Sequence, residues 1–380
     1  MRRSKRKPSK LPPVCGKRLA SSPQAGRAQP FEAQPFEAQV LDGLKPFAER
    51  ELARLRNLSL GASADPEAVH FRYAGPWARL AELRTVVAVY LVERFDVPRP
   101  KALLGHQHLR RLLGRILELR AAAPFGSFRL SAAGRDTEVY SRLTAALGEG
   151  SGLAHDADEG DLLLRVRPTM SSGGGSGNGW EVLLRLTPRP LSARRERVCN
   201  LEGGLNATVA AAMLACAPAR PGDRVLNLMC GSGTLLIERH AQTPAARLVG
   251  VDLNPKALDC ARENLAAAGA SAELLKGDAT ALPFAPGSFD LVLTDPPWGD
   301  QVGSHEANTE LYPALLAEAA RVAAPGATFV LLSHEIRLLE RVLTGQRAWH
   351  LEASHRVYHG GHYPRLYVLR RGQGVWLSAN

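Results

Sequence analysis

The chain has 380 residues, 48 Lys and Arg against 37 Asp and Glu for a net charge of +11, and is 45% hydrophobic and 22% charged, which excludes one small module and global disorder. No uninterrupted apolar run reaches the eighteen or so residues of a membrane span, and the basic N-terminus has no apolar stretch behind it, so neither a membrane protein nor a secretory signal peptide is expected. Cys15, Cys199, Cys216, Cys230 and Cys260 form no CxxC pair, so neither a disulfide framework nor a zinc ribbon is expected, and the setting reads as reducing and cytoplasmic.

Residues 1–39 carry nine Lys and Arg against two acids and a tandem Gln-Pro-Phe-Glu-Ala repeat at 29–33 and 34–38; this composition reads as a disordered basic tail. From Val40 the texture changes. Leu41, Leu44, Phe47, Leu52 and Leu55 recur at helical spacing, and 69–73 and 86–95 read as strands or buried apolar segments, giving an α+β, ferredoxin-like module over 40–100. A second module over 101–192 opens with a basic helix at 103–119 carrying Arg110, Arg111 and Arg115. A strand at 128–131, a helix at 137–147 and strands at 161–167 and 180–186 follow, the last two joined through the Gly/Ser run 171–179 as a hairpin tip.

A linker and helix over 193–217 lead into 218–380, where the pattern becomes regular strand–helix alternation. Strands are expected at 224–228, 247–252, 272–276, 289–293 and 327–332, and helices at 234–240, 255–268 and 310–322. A terminal hairpin, 348–358 with 365–370, turns about Gly360-Gly361. Such alternation predicts an α/β domain: a doubly wound, mostly parallel seven-stranded, Rossmann-like sheet. The charge excess is +7 over 1–39, +4 over 40–190 and zero over 191–380. A polyanionic partner is therefore expected at the N-terminal half, with Arg110, Arg111 and Arg115 contacting phosphates.

Four motifs carry chemistry. The strand at 224–228 turns through Cys230-Gly231-Ser232-Gly233 into a helix, but position 236 is Leu, where a nicotinamide dinucleotide fingerprint needs a third glycine. Asp252 ends the next strand about twenty residues later, placed to accept the two hydroxyls of an adenosine ribose. Asp278, after the third strand, is placed to hold the adenine edge, and this order points to S-adenosylmethionine. Asp295-Pro296-Pro297-Trp298-Gly299 ends the fourth strand: the prolines stiffen the loop, Asp295 and the Pro296 carbonyl offer acceptors for a planar amine, and Trp298 offers a face for a base. His355, His359 and His362 flank the glycine hairpin without a cysteine or carboxylate cluster, so no metal site is expected.

Cys230–Thr234, Val251-Asp252, Asp278-Ala279 and Asp295–Gly299 resemble the class I S-adenosylmethionine methyltransferases that modify exocyclic amines. With Leu191–Arg195 and Gly204–Val209, the chain resembles the THUMP-domain tRNA guanine-N2-methyltransferases, the TrmN-like group, over about 40–380. The resemblance implies a THUMP-like RNA-binding domain over 101–192 and transfer of a methyl group to N2 of a guanosine in tRNA by a cytoplasmic enzyme, read as a monomer. It also implies cofactor contacts from Asn206, Asn227, Cys230, Gly231, Gly233, Thr234, Asp252, Leu253, Asp278, Ala279 and Asp295, and catalysis by Asp295, Pro296, Pro297 and Trp298. Asn227, Leu228 and Trp298 depart from the group's usual Asp, Pro and Tyr or Phe. Two alternatives stay open: an amino-methyltransferase on DNA, another RNA or a protein glutamine, and a non-catalytic tRNA-binding protein with a degenerate cofactor site.

Overall fold

The computed structural model describes residues 32–170, 176–298 and 304–372. Residues 1–31 of the expected tail, the hairpin tip at 171–175 and Gly299 lie outside them. The N-terminal half runs β1 (Gln34–Gln39), α1 (Lys45–Leu52), β2 (Leu58–Leu60), β3 (Ala68–Tyr73), β4 (Ala88–Phe95), α2 (His106–Ala122), β5 (Ser127–Ala132), α3 (Glu138–Ser151), β6 (Ala154–His155), β7 (Leu162–Met170) and β8 (Ser176–Arg185). These strands form one eight-stranded sheet of order β2-β3-β1-β4-β8-β7-β5-β6. The segments 40–100 and 101–192 share it through the antiparallel β4–β8 pair, and one apolar core runs from Phe36 to Leu186.

Two expectations are corrected here. The basic tail does not reach residue 39, because 34–39 form β1 between β3 and β4. Phe36 and Ala38 are buried in the core, while Glu37 on the other face bonds His70 and Arg167. The alternation Phe36-Glu37-Ala38 is a strand signal hidden inside a repeat whose composition reads as disorder. The second correction concerns α2. Arg111 and Arg115 both pair with Glu93 of β4, whose side chain is only 2% exposed, and Arg115 also holds Glu118 and the Gln34 Oε1. These two guanidiniums neutralise a buried carboxylate, which is costly to leave unpaired, and so are not free for phosphates. Arg110 is exposed and, among the described residues, bonds His106 alone.

The C-terminal half runs α4 (Ala207–Ala215), β9 (Arg224–Leu228), α5 (Thr234–Gln242), β10 (Arg247–Asp252), α6 (Pro255–Ala267), β11 (Glu273–Lys276), β12 (Phe289–Thr294), α7 (His305–Val322), β13 (Ala323–Ser333), α8 (Ile336–Thr344), β14 (Trp349–Arg356) and β15 (Arg365–Arg371). Its seven-stranded sheet has the order β11-β10-β9-β12-β13-β15-β14. Pairing is parallel from β11 to β13, and β15 runs antiparallel to both neighbours, so the sheet is mixed. The strand order reverses at β9, between β10 and β12, which opens a crevice at the carboxyl ends of these strands.

The two halves share packing. Leu44 and Phe47 of the α1 region are buried in the core of the second sheet with Val209, Met213, Val330, Val357, Leu366 and Val368. Just before α1, the Asp42 carbonyl accepts the Tyr358 N–H at 2.8 Å. Gly43 (φ +84°) is required there, since a Cβ would lie 2.1 Å from the Arg356 carbonyl oxygen. Glu238 of α5, 2% exposed, is held by Arg84 and Arg194.

Cys199 and Cys260 form a disulfide with Cα atoms 5.4 Å apart, contrary to the sequence expectation. Partners 61 residues apart share no spacing motif; they meet because Asn264, one turn after Cys260, bonds both the N–H and the carbonyl of Cys199. No helix among the described residues is long and apolar enough to cross a membrane.

Candidate active site

Beyond Leu228 the backbone enters left-handed geometry three times, at Met229 (φ +50°), Gly231 (φ +53°) and Gly233 (φ +78°). Gly233 caps α5, and a Cβ there would sit 3.2 Å from that of Ala261, so the turn is both twisted and pressed against α6. Met229 takes this conformation at a steric cost of about 1–3 kcal/mol, strain that concentrates at functional sites. The Asn264 Nδ2 donates to the Ser232 carbonyl at 3.0 Å and steadies the turn from behind.

Asp252 closes the turn from β10. Its Oδ2 accepts the Gly231 N–H at 2.8 Å and its Oδ1 the Asn254 N–H at 2.9 Å, leaving each carboxylate oxygen further acceptor capacity. Leu253, next to it, is 61% exposed. Asp278 is exposed, and one of its oxygens is taken by the Thr280 N–H and hydroxyl, which hold its carboxyl below the usual range. The Ala279 side chain is packed in the core, so only its backbone remains for a ligand.

The cleft in front of the turn has a volume of about 120 Å³ and is lined by Leu201–Leu205, Asn227, Met229, Cys230, Gly231, Ser232, Thr234, Leu235 and Asp295. Five predicted residues thus meet there: Asn227, Cys230, Gly231, Thr234 and Asp295. Asn206 adjoins it, capping α4 by accepting the Thr208 N–H. Asn227 is 1% exposed; its Nδ2 donates to the Leu228 and Leu293 carbonyls, while its Oδ1 has no partner among the described residues. A buried acceptor left open on a cleft wall fits a ligand that brings a donor, such as an amino group. Burial pushes the Cys230 thiol up to about 12, so it is no nucleophile.

Like the exposed Glu202, Asp295, just past the end of β12, is an acid on the cleft wall. The residue is half-buried, but its carboxyl group is enclosed by protein atoms, and this burial pushes its pKa up to about 7 against the opposing pull of the Trp298 hydrogen bond. That bond runs from the indole Nε1 to Oδ1 at 3.1 Å. The loop is fixed by α7: the Pro297 carbonyl accepts the Asn308 Nδ2 at 3.1 Å and the Tyr312 hydroxyl at 3.4 Å, and Tyr312 also bonds the Ser333 hydroxyl at 2.8 Å. Trp298 rests among the rings of His334, His359 and His362. The site thus pairs a ligand cleft with a loop that presents a carboxylate beside a flat aromatic ring.

Sequence reading missed three contributors. Residues 201–205 were expected to be linker; the glycine pair Gly203-Gly204 just before an Asn-capped helix was their signal. Asn308 and Tyr312 lie four apart on one face of α7, a spacing visible in the sequence but without a partner to interpret it. Arg110, Arg111 and Arg115 lie on α2 of the other sheet, away from the cleft lining.

Comparison with known proteins agrees with this geometry. The model of UPF0020, RMKL-like methyltransferase domain, matches residues 194–365. A tRNA (guanine(6)-N2)-methyltransferase of Thermus thermophilus is 34% identical over 256 residues, covering 65% of this chain and 73% of that protein. The tRNA (guanine(6)-N(2))-methyltransferase THUMP3 of Bos taurus is 32% identical over 183 residues, covering 44% of this chain and only 36% of the relative. The crystal structure of TrmN from Thermus thermophilus superposes with a TM-score of 0.68 at 29% identity, over 89% of this chain and 99% of that one.

Proposed function

Since the chain belongs to the family of the Thermus tRNA (guanine-N2)-methyltransferase, we propose that it transfers a methyl group from S-adenosylmethionine to the exocyclic N2 of a guanosine in tRNA. The observation that carries this reading is the Asp295 carboxyl, enclosed on the wall of the ligand cleft and bonded to the Trp298 indole.

The residues divide the work as follows. The glycine turn and Asp252 hold the ribose side of the cofactor, Asp278 and the Ala279 backbone its adenine, and the open Asn227 Oδ1 its amino group. When bound, the cofactor supplies an electrophilic methyl on a sulfonium, whose S–C bond breaks as the N–C bond forms. An amine conjugated to a purine is a poor nucleophile because its lone pair is delocalised. Ionised Asp295 and the Pro296 carbonyl accept its two N–H bonds and turn the lone pair toward the methyl, Trp298 stacks on the flipped base, and Asp295 takes the proton the amine releases. No covalent enzyme intermediate is needed.

The N-terminal sheet is read as the RNA-gripping part, ferredoxin-like over 40–100 and THUMP-like over 101–192, its charge excess meeting tRNA phosphates; Arg110 keeps the phosphate role. With both parts in one chain, we read it as acting without a second copy and, as an enzyme on tRNA, as cytoplasmic. Incubation with total tRNA and methyl-labelled S-adenosylmethionine should give labelled N2-methylguanosine on nucleoside digestion, with guanosine 6, the position named for the Thermus relative, the first to map. Label on adenosine, or on DNA in preference to tRNA, overturns the proposal. Asp252→Ala should weaken cofactor binding by one to two decades, since losing a charge-assisted pair costs about 1.5–3 kcal/mol; unchanged calorimetric affinity places the ribose contact elsewhere.

A further inference from the structure

The ring packed against Trp298 has a second attachment. His359 is 8% exposed, and its Nε2 accepts the backbone N–H of Asn206 at 3.0 Å. A backbone amide only donates, so Nε2 carries the lone pair and the neutral ring's proton sits on Nδ1. Nδ1 is buried and has no hydrogen-bond partner among the described residues. The ring meets Trp298 edge to face at 5.3 Å and 75°. Its backbone is clamped as well, since the N–H and carbonyl of His359 exchange 3.0 Å hydrogen bonds with His362 across Gly360-Gly361. Trp298 in turn donates to Asp295.

We propose that His359 is a positioning residue: anchored on Asn206 at the start of α4, it fixes the indole of Trp298 and, through the indole N–H, the carboxylate of Asp295. The inference rests on the amine-gripping role of Asp295 and extends it, because it joins the helix cap beside the cofactor cleft to the loop that meets the base. Burial above all holds His359 below its usual range, against an opposing contact with its own backbone and with Arg197 nearby adding to the lowering, so it keeps the Nε2 lone pair that the Asn206 contact needs. The other titratable groups around the relay are His334 and His362 beside Trp298 and, near Asp295, Tyr312 and Glu335.

Replacing a buried histidine lowers stability whatever its role, so the test reads Asp295 itself. In the full chain labelled at the aspartate carboxyl carbons, the Asp295 resonance is identified by its loss in Asp295→Asn and followed against pH. Trp298→Phe removes the indole N–H that favours the ionised form and should raise the midpoint by about half to one pH unit. His359→Gln keeps an acceptor for Asn206 but removes the ring, and should raise it as much. His359→Phe keeps a ring but loses the acceptor for Asn206, and should raise it as well. An unmoved midpoint in His359→Gln overturns the ring contact, and one in His359→Phe overturns the Asn206 anchor; an unmoved midpoint in Trp298→Phe overturns the last step of the relay. None of these readings needs turnover, so failure of the relay is distinct from failure of the tRNA reading, which shows as absence of N2-methylguanosine with the wild-type chain.

Discussion

Asp295→Ala should lower kcat about a hundredfold to a thousandfold, the range seen when one preorganised transition-state contact is removed, with affinity for S-adenosylmethionine within about threefold of wild type. The asymmetry follows from the architecture: the cofactor is read as held chiefly from β9 and β10, whereas the amine meets the loop after β12. Since the carboxyl must be ionised to accept the amine's N–H, and burial places its pKa at about 7, wild-type kcat should rise with pH through that value and stand at about one tenth of its plateau at pH 6. Single-turnover methyl transfer measured from pH 5.5 to 8.5 tests both points. Full activity in the alanine variant removes the proposed grip.

The same group bears on stability, in the sense opposite to a salt-bridged acid. Below the ordinary carboxyl pKa near 4 both folded and unfolded chains are protonated, and Asp295 contributes nothing. As pH rises toward 7 the unfolded chain ionises first and folding is progressively disfavoured, by on the order of 4 kcal/mol once pH exceeds 7. Asp295→Asn should therefore raise the unfolding midpoint at pH 8 and leave it unchanged at pH 4.

The second large effect is expected far from the cleft. Phe47→Ala should cost about 3–5 kcal/mol, the usual range for emptying a fully buried aromatic site, although the family match begins only at residue 194. Phe47 is 1% exposed, packs in the core of the second sheet and touches the His355 ring at 5.1 Å. A fragment of residues 191–380 lacks Leu44 and Phe47, and it also lacks Arg84, leaving the buried Glu238 with one of its two guanidiniums. It should fail to unfold cooperatively in urea, whereas the full chain should give one transition. A stable, cofactor-binding 191–380 fragment would show the shared core to be dispensable.

The sequence announced the catalytic half well because its signals are local. Strand alternation with glycine and proline punctuation located β9 and β10 to the residue, and the acid after each strand end located Asp252, Asp278 and Asp295. What escaped it depended on pairing across long separations. Arg111 and Arg115 look like a free basic stripe until β4 brings Glu93 beneath them, and nothing near Cys199 or Cys260 shows that α6 joins them. The strand over 34–39 is masked by the polar, Pro-rich composition of the repeat and shows only in the alternation of Phe36, Glu37 and Ala38. His359 was seen only as a candidate ligand, and its contact with the Asn206 N–H needs the fold to exist first.

The seat of α1 also has a consequence for the order of synthesis. Among the described residues Leu44 and Phe47 leave the ribosome early, yet the surfaces that bury them include Val357, Leu366 and Val368, which follow much later. Until β14 and β15 emerge, Leu44 and Phe47 lack part of the surface that buries them. This contact pairs the α1 region with the β14–β15 hairpin across most of the described sequence, so the half that is read as gripping RNA completes its packing only with the half that carries the chemistry.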